Sequence, residues 1–455
     1  MKKVCLVYPN TIKLPKSFRY ANNLAVHSNN TLPPLGLLYI IGNSKNKIDI
    51  IDNRIRRYSE DILFERLMKY DIIGFGGTIF EAKEARKVSR RLIKNGKTTI
   101  YGGPNAMVNW RLYTGEFTII LRGEAEMIFD KIIENIPKIE GLGFRKIKNT
   151  YINPSPKRIS QLDNLEFPDR SKINLDEYRR IEPEFLGNIH PVDTIVSSRG
   201  CPFDCYFCSS KVIWGRRYTY RSADSIIKEI KFMIKNYGTK GIYFREDNFT
   251  ANRSRLVDFC NKVSSLKILW ICESRADSLD KKTIKLMADS GCKAIWFGIE
   301  CTDDEDLRRI RKGITLSQIK RTINLCNERG ILTGGGFMLG LPFDTERSIK
   351  KNYKLSKTLK LKYRFYNRVY AFPGSEMYDE ILHEGIDNYC FENIMLPGTR
   401  HLSAKRVNRL YYQLVSRNQM ILSWFSNILG RKLADCIKMN FPNIIRLLRR
   451  ILDLS

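Results

Sequence analysis

Three cysteines stand close together in the middle of the chain, in the run RGCPFDCYFCSS. They are Cys201, Cys205 and Cys208, at positions i, i+4 and i+7. A loop with this spacing lets three thiolates converge on one metal centre, and iron–sulfur clusters prefer such soft ligands. A cubane cluster usually takes four ligands, so three local cysteines would leave one iron open, as in catalytic metal sites generally.

Two other sites could use the same cysteines. Three thiolates could join a distant ligand around a structural zinc ion, and Cys205-Tyr-Phe-Cys208 could act as a redox pair. The chain has four histidines, and neither a histidine nor a second CxxC lies near the run, which disfavours zinc. We interpret the other eight cysteines as small buried hydrophobic residues. They are Cys5, Cys260, Cys272, Cys292, Cys301, Cys326, Cys390 and Cys436.

Residues 1–150 alternate short apolar segments with amphipathic helical patterns, as in 81–96. This alternation predicts a Rossmann-like α/β domain, a parallel sheet wrapped by helices. The predicted strands are 3–9, 47–52, 71–77, 98–103 and 118–123.

The predicted strands of this first domain end in turn-forming residues. Three of the turns are rich in glycine, among them Gly76-Gly77-Thr78 and Gly102-Gly103-Pro104. Ligands of open α/β sheets bind outside the carboxyl ends of the strands, where glycine lets a ligand approach the backbone. We therefore predict a ligand site at Gly76, Thr78, Gly102 and Gly103; the alternative is that these glycines only make tight turns.

Three further regions follow along the chain. Residues 151–190 are rich in proline and charge, which is typical of a linker. Residues 191–390 alternate strand and helix six times, which predicts a partial (β/α)6 barrel of the TIM type with chemistry at the carboxyl ends of its strands. Residues 391–455 are helical, apolar and basic. The predicted barrel strands are 193–198, 241–246, 268–274, 294–300, 333–339 and 363–372.

The bulk properties constrain location and partners. No apolar run approaches the ~20 residues that span a bilayer, the first strand is too short for a signal peptide, and eleven cysteines suit a reducing compartment. We therefore expect a cytoplasmic protein. The net charge of +30 implies an anionic partner. The basic region 391–455 could contact an anionic membrane or, alternatively, cap the barrel. Nucleic acid is disfavoured because we find no RNA-binding module.

The CxxxCxxC run, with an aromatic residue before its last cysteine, resembles the signature of the radical S-adenosylmethionine superfamily. The resemblance continues in order through FREDNFT, WICESRAD, WFGIE, FMLGLPFDT and FPGSEMYDE, and so covers roughly residues 190–385. It implies a [4Fe-4S] cluster on the three cysteines and cleavage of S-adenosylmethionine to a 5′-deoxyadenosyl radical.

The resemblance also implies residues that bind S-adenosylmethionine. Phe207 would pack near the adenine, and Glu246 and Asp247 stand where the family contacts the amino group. Glu273 and Arg275 would bind the ribose and carboxylate, and Gly298 and Glu300 occupy the ribose position of the fourth strand. The family often has Gly-Gly-Glu where this chain has Arg245-Glu246-Asp247, so the amino-group contact departs from the usual pattern.

The first domain resembles the cobalamin-binding domain of one large branch of this superfamily, through PPLGLLYI, DIIGFGGT, YGGPNA and RGEAE. The usual cobalamin motif Asp-x-His-x-x-Gly is absent. The resemblance implies that Gly76, Thr78, Gly102 and Gly103 contact cobalamin, without a protein imidazole on the cobalt; alternatively, the domain has lost the corrin.

The leading reaction is then methylation of an unactivated carbon, with ring closure or carbon–carbon bond formation on a lipid or other secondary metabolite as the alternative. A reducing protein of the flavodoxin or ferredoxin type is the expected electron donor, and the substrate is expected to be a small molecule or a lipid. Two non-enzymatic classes stay open at this point. They are a cobalamin-binding regulator and an electron-transfer protein whose fourth ligand is Cys272 or Cys301.

Overall fold

The computed structural model describes most of the 455-residue chain as two α/β domains joined by a linker. The described residues are 2–10, 32–136, 138, 143–154, 158–178, 190–386 and 397–416.

The first domain is built on a seven-stranded sheet with the strand order β2-β1-β3-β4-β5-β7-β6. All neighbouring pairs are parallel except β6 and β7. Its central strands read as continuous apolar runs because helices cover both faces of the sheet. The strands are β1 (Val4–Tyr8), β2 (Ile48–Asp52), β3 (Ile72–Phe75), β4 (Thr98–Tyr101), β5 (Ile119–Ile120), β6 (Arg145–Ile147) and β7 (Thr150–Ile152).

The helices between these strands begin in different ways, and two of them have side-chain caps: Ser59 accepts a hydrogen bond from the Ile62 backbone N–H, and Asp52 accepts one from the Arg54 backbone N–H. Their apolar faces pack on the sheet, for example through Ala85, Val88 and Leu92. The helices are α1 (Leu35–Gly42), α2 (Asn53–Arg56), α3 (Glu60–Leu67), α4 (Ala82–Lys94), α5 (Pro104–Asn109) and α6 (Phe129–Asn135).

All five strands predicted for this domain are present, and the β6–β7 hairpin was not predicted. β6 is exposed along its whole length, so it lacks an apolar pattern. Lys148 and Asn149 turn the hairpin with φ values of +46° and +62°, as a two-residue hairpin loop requires. Because β7 pairs with β5, the sheet of the first domain includes residues up to Ile152.

The described part of the linker contains three short 3-10 turns and no helix or strand between Asn153 and Pro191. It packs closely on α1, since a Cβ on Gly42 would lie 2.2 Å from the Phe167 carbonyl oxygen. The turns are Leu162–Asn164, Arg170–Lys172 and Leu175–Glu177.

The second domain contains six parallel strands in sequential order, β8-β11-β12-β13-β14-β15, as the predicted partial barrel requires. Its aromatic residues form a core, in which Phe244, Phe249, Phe259 and Trp270 are fully buried. The strands are β8 (Val192–Ile195), β11 (Gly241–Phe244), β12 (Leu269–Ser274), β13 (Cys292–Glu300), β14 (Leu332–Leu339) and β15 (Tyr363–Arg368).

A two-stranded antiparallel ribbon, β9 (Ser198–Arg199) and β10 (Thr219–Tyr220), stands between β8 and β11 along the chain. The cysteine run and α7 (Ser210–Trp214) lie between the two ribbon strands. The remaining helices are α8 (Ala223–Tyr237), α9 (Arg253–Val263), α10 (Lys281–Asp289), α11 (Asp304–Arg309), α12 (Leu316–Glu328), α13 (Glu346–Ser356) and α14 (Glu376–His383).

The described part of the basic C-terminal region is a helix that packs on the barrel. It is α15 (Ala404–Tyr411), and its Val407 and Leu410 are buried against Leu339 and Ile349. This agrees with a helical cap for residues 397–416. The rest of the predicted basic segment lies outside the described residues. Within the described part of the chain, no helix has the length and apolar character needed to cross a membrane.

Candidate active site

The three cysteines lie in a loop that the β9–β10 ribbon closes at its base. Gly200 leads from β9 into the loop with a φ of +83°, a conformation that favours glycine. A Cβ at this position would also lie 2.4 Å from the Arg217 carbonyl oxygen. The Arg-Gly-Cys sequence therefore sets the direction in which the loop leaves the ribbon.

All three sulfurs accept hydrogen bonds from the surrounding protein, that of Cys201 from the Phe203 backbone N–H. The Ser210 backbone N–H donates to Cys208 Sγ at 3.4 Å, and Arg275 Nη1 donates to Cys205 Sγ at 3.7 Å. Burial raises the pKa of the Cys201 thiol, and raises that of Cys208 to about 11. A bound cation is what would hold these sulfurs as thiolates at neutral pH. The three cysteines interact electrostatically with one another in the loop, although within the described part of the chain no three His, Cys, Asp or Glu side chains are arranged to hold a metal ion. Thiols with N–H and guanidinium partners are the donor set that an iron–sulfur cluster takes.

Arg275, which follows β12, holds the cysteine loop from the barrel side. It is 5% exposed, and its guanidinium lies 3.7 Å from the centre of the Phe203 ring. Asp277 accepts hydrogen bonds from its Nε and Nη2 at 3.0 and 2.8 Å. These contacts, with the bond to Cys205, place Arg275 against the loop itself, whereas the sequence predicted a contact to the ribose and carboxylate of the cofactor.

The end of β13 carries an ion pair beside the same loop. Glu300 has a φ of +68°, and the register with β14 shifts between Gly298 and Glu300. Lys312 Nζ lies 3.0 Å from Glu300 Oε1 and 5.7 Å from the centre of the Phe207 ring. A Cβ on Gly298 would lie 2.7 Å from Glu300 Oε1, so this glycine makes room for the pair. Strained non-glycine backbone of this kind clusters at functional sites.

Lys312 is a site residue that the sequence analysis missed. It is 6% exposed, although a lysine in a basic segment such as Arg311-Lys312-Gly313 ordinarily indicates a surface turn. Burial alone would lower the pKa of Lys312, but the Glu300 carboxylate outweighs this effect and the pKa is raised. The lysine is therefore charged. Its sequence context gives no sign of a role in the site, because only the fold shows that its side chain is buried.

Glu246, after β11, is a buried carboxylate with an unused acceptor. Ser197 Oγ donates to Glu246 Oε1 at 2.5 Å, and Arg255 Nη2 lies 4.0 Å from Oε2. Oε2 is buried and has no hydrogen-bond partner. Burial raises the pKa of Glu246 despite the neighbouring Arg255. The next residue, Asp247, is exposed and accepts a hydrogen bond from Ser210 Oγ at 2.7 Å.

Glu273, in β12, is already engaged by its neighbours. Tyr243 OH donates to Glu273 Oε1 at 2.6 Å, and the Arg245 guanidinium forms an ion pair with the same oxygen. Its carboxylate thus has two partners within the sheet, which distinguishes it from Glu246.

A cavity of about 560 Å³ separates the carboxyl ends of the strands of the two domains. The first domain contributes the turns after β1, β3, β4 and β5, together with α1. The second contributes the ends of β8 and β11, the ribbon and Trp214. The wall is mostly apolar, with charged groups from Arg54, Arg199 and Glu246. A large apolar cavity with a few convergent polar groups is the ordinary form of a ligand site.

The four predicted turn residues of the first domain all line this cavity. Gly103 has a φ of +98°, and a Cβ there would lie 2.9 Å from the Gly77 carbonyl oxygen, so this glycine is needed for the fold itself. A Cβ on Gly102 would meet only the Leu121 carbonyl oxygen at 3.9 Å. Its missing side chain therefore leaves space in the cavity. Thr78 Oγ1 donates to Glu81 at 2.7 Å, which fixes the turn after β3.

Residues 195–355 match the Radical SAM superfamily. The matched segment begins at the last residue of β8 and ends in α13, so it contains the cysteine loop and the strand ends that surround it. Residues 195–355 form a radical S-adenosylmethionine domain.

Relatives of this radical S-adenosylmethionine protein include methyltransferases and cyclases. It is 28% identical over 371 residues to an uncharacterized methyltransferase of Pyrococcus horikoshii, covering 77% of this chain and 78% of that protein. It is 24% identical to the anaerobic magnesium-protoporphyrin IX monomethyl ester cyclase of Rubrivivax gelatinosus, covering 77% of this chain and 66% of that protein.

The fold of the chain is shared with a solved radical S-adenosylmethionine methyltransferase. This is TsrM from Kitasatospora setae, whose structure has cobalamin and a [4Fe-4S] cluster bound. The likeness has a TM-score of 0.68 at 16% sequence identity and covers 90% of this chain and 85% of that one. It establishes the two-domain fold, a parallel-sheet domain followed by a partial barrel.

The structure divides the predicted cofactor residues into two groups. Phe207, Arg275, Gly298 and Glu300 surround the cysteine loop. Glu246 and Asp247 line the cavity with Gly76, Thr78, Gly102 and Gly103, while Glu273 lies outside its wall. Their individual roles in cofactor binding stay predictions. Ser197, Arg199, Arg255 and Lys312 were missed because nothing in the local sequence shows which partner each residue meets in the fold.

Cys272 and Cys301, the two candidates for a fourth cluster ligand, are fully buried in the barrel. Cys272 lies beside the Cys292 thiol and near Cys260 and Cys326 in the core. This setting is that of a small hydrophobic residue.

Proposed function

We propose that this radical S-adenosylmethionine enzyme is a cobalamin-dependent methyltransferase that acts on an unactivated carbon. Its cluster would be held by Cys201, Cys205 and Cys208. The observation that carries the proposal is the cavity between the two domains, in which the glycine turns of the first sheet lie opposite the end of β11 and the ribbon from which the cysteine loop leaves. A methyl donor on one wall and a radical source on the other would both face a substrate held between them.

When bound, the cluster and S-adenosylmethionine supply a 5′-deoxyadenosyl radical that abstracts hydrogen from carbon, and cobalamin supplies the methyl group. The chain itself binds, orients and excludes water. Glu246 is the residue best suited to accept hydrogen bonds from the cofactor's amino group, because it lines the cavity and its buried Oε2 accepts no hydrogen bond and meets only Arg255, at 4.0 Å.

Other residues would support S-adenosylmethionine by position. Phe207 would pack against the adenine beside Lys312, and Glu300 would face the ribose. Asp247 lies next to Glu246 on the cavity wall. Arg275 would keep Cys205 in place through its bond to the sulfur. Among the predicted residues, Glu273 has the least support as a contact of S-adenosylmethionine, since its carboxylate already interacts with Tyr243 and Arg245.

The corrin would lie against the turns after β3 and β4, at Gly76, Thr78, Gly102 and Gly103. The open space at Gly102 supports this placement. Among the described residues, the cavity wall includes no histidine. Because the sequence also lacks the usual Asp-x-His-x-x-Gly motif, we propose that the cobalt is held without a protein imidazole.

The cyclase of Rubrivivax gelatinosus favours a second candidate reaction, ring closure initiated by the same radical. The two reactions differ in their products, since methyl transfer from S-adenosylmethionine yields S-adenosylhomocysteine. A regulator or a simple electron carrier is set aside because the family match and both relatives indicate an enzyme.

The partners that we propose are a reducing protein of the flavodoxin or ferredoxin type and a small-molecule or lipid substrate. The net charge of +30 supports attraction to an acidic electron carrier or to an anionic membrane surface.

The test uses anaerobically reconstituted protein supplied with cobalamin, dithionite and S-adenosylmethionine. We expect 5′-deoxyadenosine from the wild type and none from Cys205→Ala, because the cluster would lose a ligand. Cys326→Ala is the matched control, a buried core cysteine whose loss should leave the product unchanged. S-adenosylhomocysteine that depends on cobalamin supports the methyltransferase. Deoxyadenosine without it would support the cyclase, and no deoxyadenosine from fully loaded protein would contradict both.

A further inference from the structure

Glu124 joins three separate parts of the chain at one carboxylate. It belongs to the RGEAE segment after β5 and is buried, with a side chain 3% exposed. Its Oε1 pairs with Arg199 Nη1 of the ribbon at 2.5 Å. Its Oε2 accepts from Arg158 Nε at 3.1 Å and from the Ile159 backbone N–H at 2.7 Å, both in the linker. The first domain, the linker and the ribbon thus meet at this side chain.

Arg199 is held from both sides. Its Nη2 pairs with Glu126 Oε1 at 2.6 Å, in addition to the contact of Nη1 with Glu124. Its backbone is fixed as well, because Arg199 lies opposite Thr219 in the ribbon. Arg199 is 8% exposed, so water competes little for these ion pairs.

This arginine stands immediately before the turn into the cysteine loop. Gly200 follows it and has no room for a side chain, and Cys201 comes next. A shift of Arg199 would therefore pass directly to the first proposed cluster ligand. Glu124, Glu126 and Arg199 also line the cavity between the domains. The same side chains consequently touch the proposed cofactor space and the base of the loop.

We propose that Glu124 and Glu126 are positioning residues that fix the cysteine loop against the first domain through Arg199. Their role is to keep the open iron of the cluster at the correct place relative to Glu246, so that S-adenosylmethionine is gripped at both ends. This inference rests on the proposed placement of the cluster on the three cysteines. It does not depend on whether cobalamin is bound or on which carbon is methylated.

Replacing Glu124 by glutamine keeps the shape of the side chain and removes the charge that holds Arg199 and Arg158. The three cysteines remain, so the protein should still take up iron. The loop should lose its fixed position, and binding of S-adenosylmethionine should weaken more than its cleavage once bound. Glu126→Gln should act in the same direction but less strongly, because Glu126 contacts the ribbon without the linker.

The experiment compares Glu124→Gln and Glu126→Gln with Glu116→Gln in reconstituted protein. Glu116 is a matched control, since it pairs with Arg86 and Arg90 in the same domain but does not line the cavity. We expect wild-type iron content in all variants. For Glu124→Gln we expect a KM for S-adenosylmethionine raised about tenfold, with a smaller change in kcat for deoxyadenosine formation. Its reduced-cluster electron paramagnetic resonance signal should respond less to added S-adenosylmethionine.

Hydrogen–deuterium exchange of the backbone at 199–208 provides a readout that needs no turnover. Exchange should be faster in Glu124→Gln than in the wild type and unchanged in Glu116→Gln. Wild-type exchange and a wild-type KM in Glu124→Gln would overturn the proposal, as would an equal change in the control.

If Glu124→Gln fails to fold, a second variant keeps the test open. Arg199→Lys keeps the charge but cannot span both carboxylates, so it should show the same changes in milder form. Fully loaded wild type that makes no deoxyadenosine would instead refute the proposed function, and the exchange data would still test the positioning.

Discussion

At the scale of single residues, Glu246 is unusual because it is buried and only one of its two carboxylate oxygens accepts a hydrogen bond. Ser197 binds one carboxylate oxygen and the other has no hydrogen-bond donor. An unsatisfied buried acceptor is costly in a folded protein, so its presence in a cavity wall indicates that a ligand supplies the missing donor. The cofactor's ammonium group has the right chemistry for this position.

Glu246→Gln should raise the KM for S-adenosylmethionine by about tenfold or more, because a hydrogen bond to a charged group contributes about 1.5–3 kcal/mol. The measurement is the rate of deoxyadenosine formation against cofactor concentration, with iron content as a check on loading. Glu273→Gln is the comparison, since Glu273 is engaged within the sheet. Equal effects of the two substitutions would contradict the assignment of the amino group to Glu246.

Residue types and spacing were sufficient to propose the three cysteines as cluster ligands but not to name the residues around them. The CxxxCxxC run can be recognised from the sequence because its three cysteines lie close together along the chain. Arg255 and Lys312 reach the site from α9 and from the turn after α11, so only the fold brings them there. Arg275 was named from the sequence for a cofactor contact, which stays a prediction, and its contact with Cys205 was not foreseen.

At the scale of elements, the turn after β4 contains two adjacent glycines, Gly102 and Gly103, whose surroundings differ. Gly103 has a positive φ and lies against the Gly77 backbone, so it serves the turn. Gly102 has an ordinary φ and faces open space in the cavity, so the fold does not require it to be glycine. From the sequence both interpretations were open for these residues; in the structure only Gly103 is required by the turn, and a ligand at Gly102 stays a prediction.

Gly102→Leu should therefore reduce cobalamin retention at least several-fold while leaving thermal stability close to that of the wild type, because the added side chain enters empty space. Gly103→Ala should instead lower the melting temperature, since a strained backbone conformation costs on the order of 1–3 kcal/mol. Absorbance of the bound corrin and thermal unfolding measure the two effects. Undiminished cobalamin retention in Gly102→Leu would place the corrin elsewhere.

Elements with a strong apolar pattern were predictable and those without one were not. All eleven predicted parallel strands are present, and several of them, such as β1, β3 and β8, are runs of buried residues. The exposed hairpin of β6 and β7 was missed, since its strands are short and β6 is entirely exposed. The ribbon of β9 and β10 has two residues per strand, and its pairing depends on Gly200 and on the contacts of Arg199.

At the scale of the whole molecule, the linker is fastened to the barrel by a buried ion network. Glu229 of α8 lies between Arg170 of the linker, at 2.7 Å, and Arg221, which follows the ribbon. Arg170 also donates to the Thr194 carbonyl oxygen of β8 at 2.9 Å. Arg221 lies 3.5 Å from Tyr39 OH of α1, so the network reaches the first domain. The cavity depends on this fastening because its two walls belong to different domains.

Glu229→Gln should destabilise the protein by about 3–5 kcal/mol, since it leaves two buried guanidinium groups without a counter-charge.

This loss of stability should depend on pH. Burial would raise the pKa of Glu229, but Arg170 and Arg221 outweigh the effect of burial and hold the pKa below its usual value. A carboxyl whose folded pKa is lowered contributes stability above its unfolded pKa, near 4.3, and loses it as the pH falls through the folded pKa. The difference in unfolding free energy between wild type and Glu229→Gln should thus be full at pH 7 and shrink below about pH 4. Denaturant unfolding at both pH values measures it, with Glu116→Gln, a more exposed carboxylate, expected to change stability by less. A difference that does not depend on pH would show that the loss comes from packing and that the ion network does not hold the linker in place.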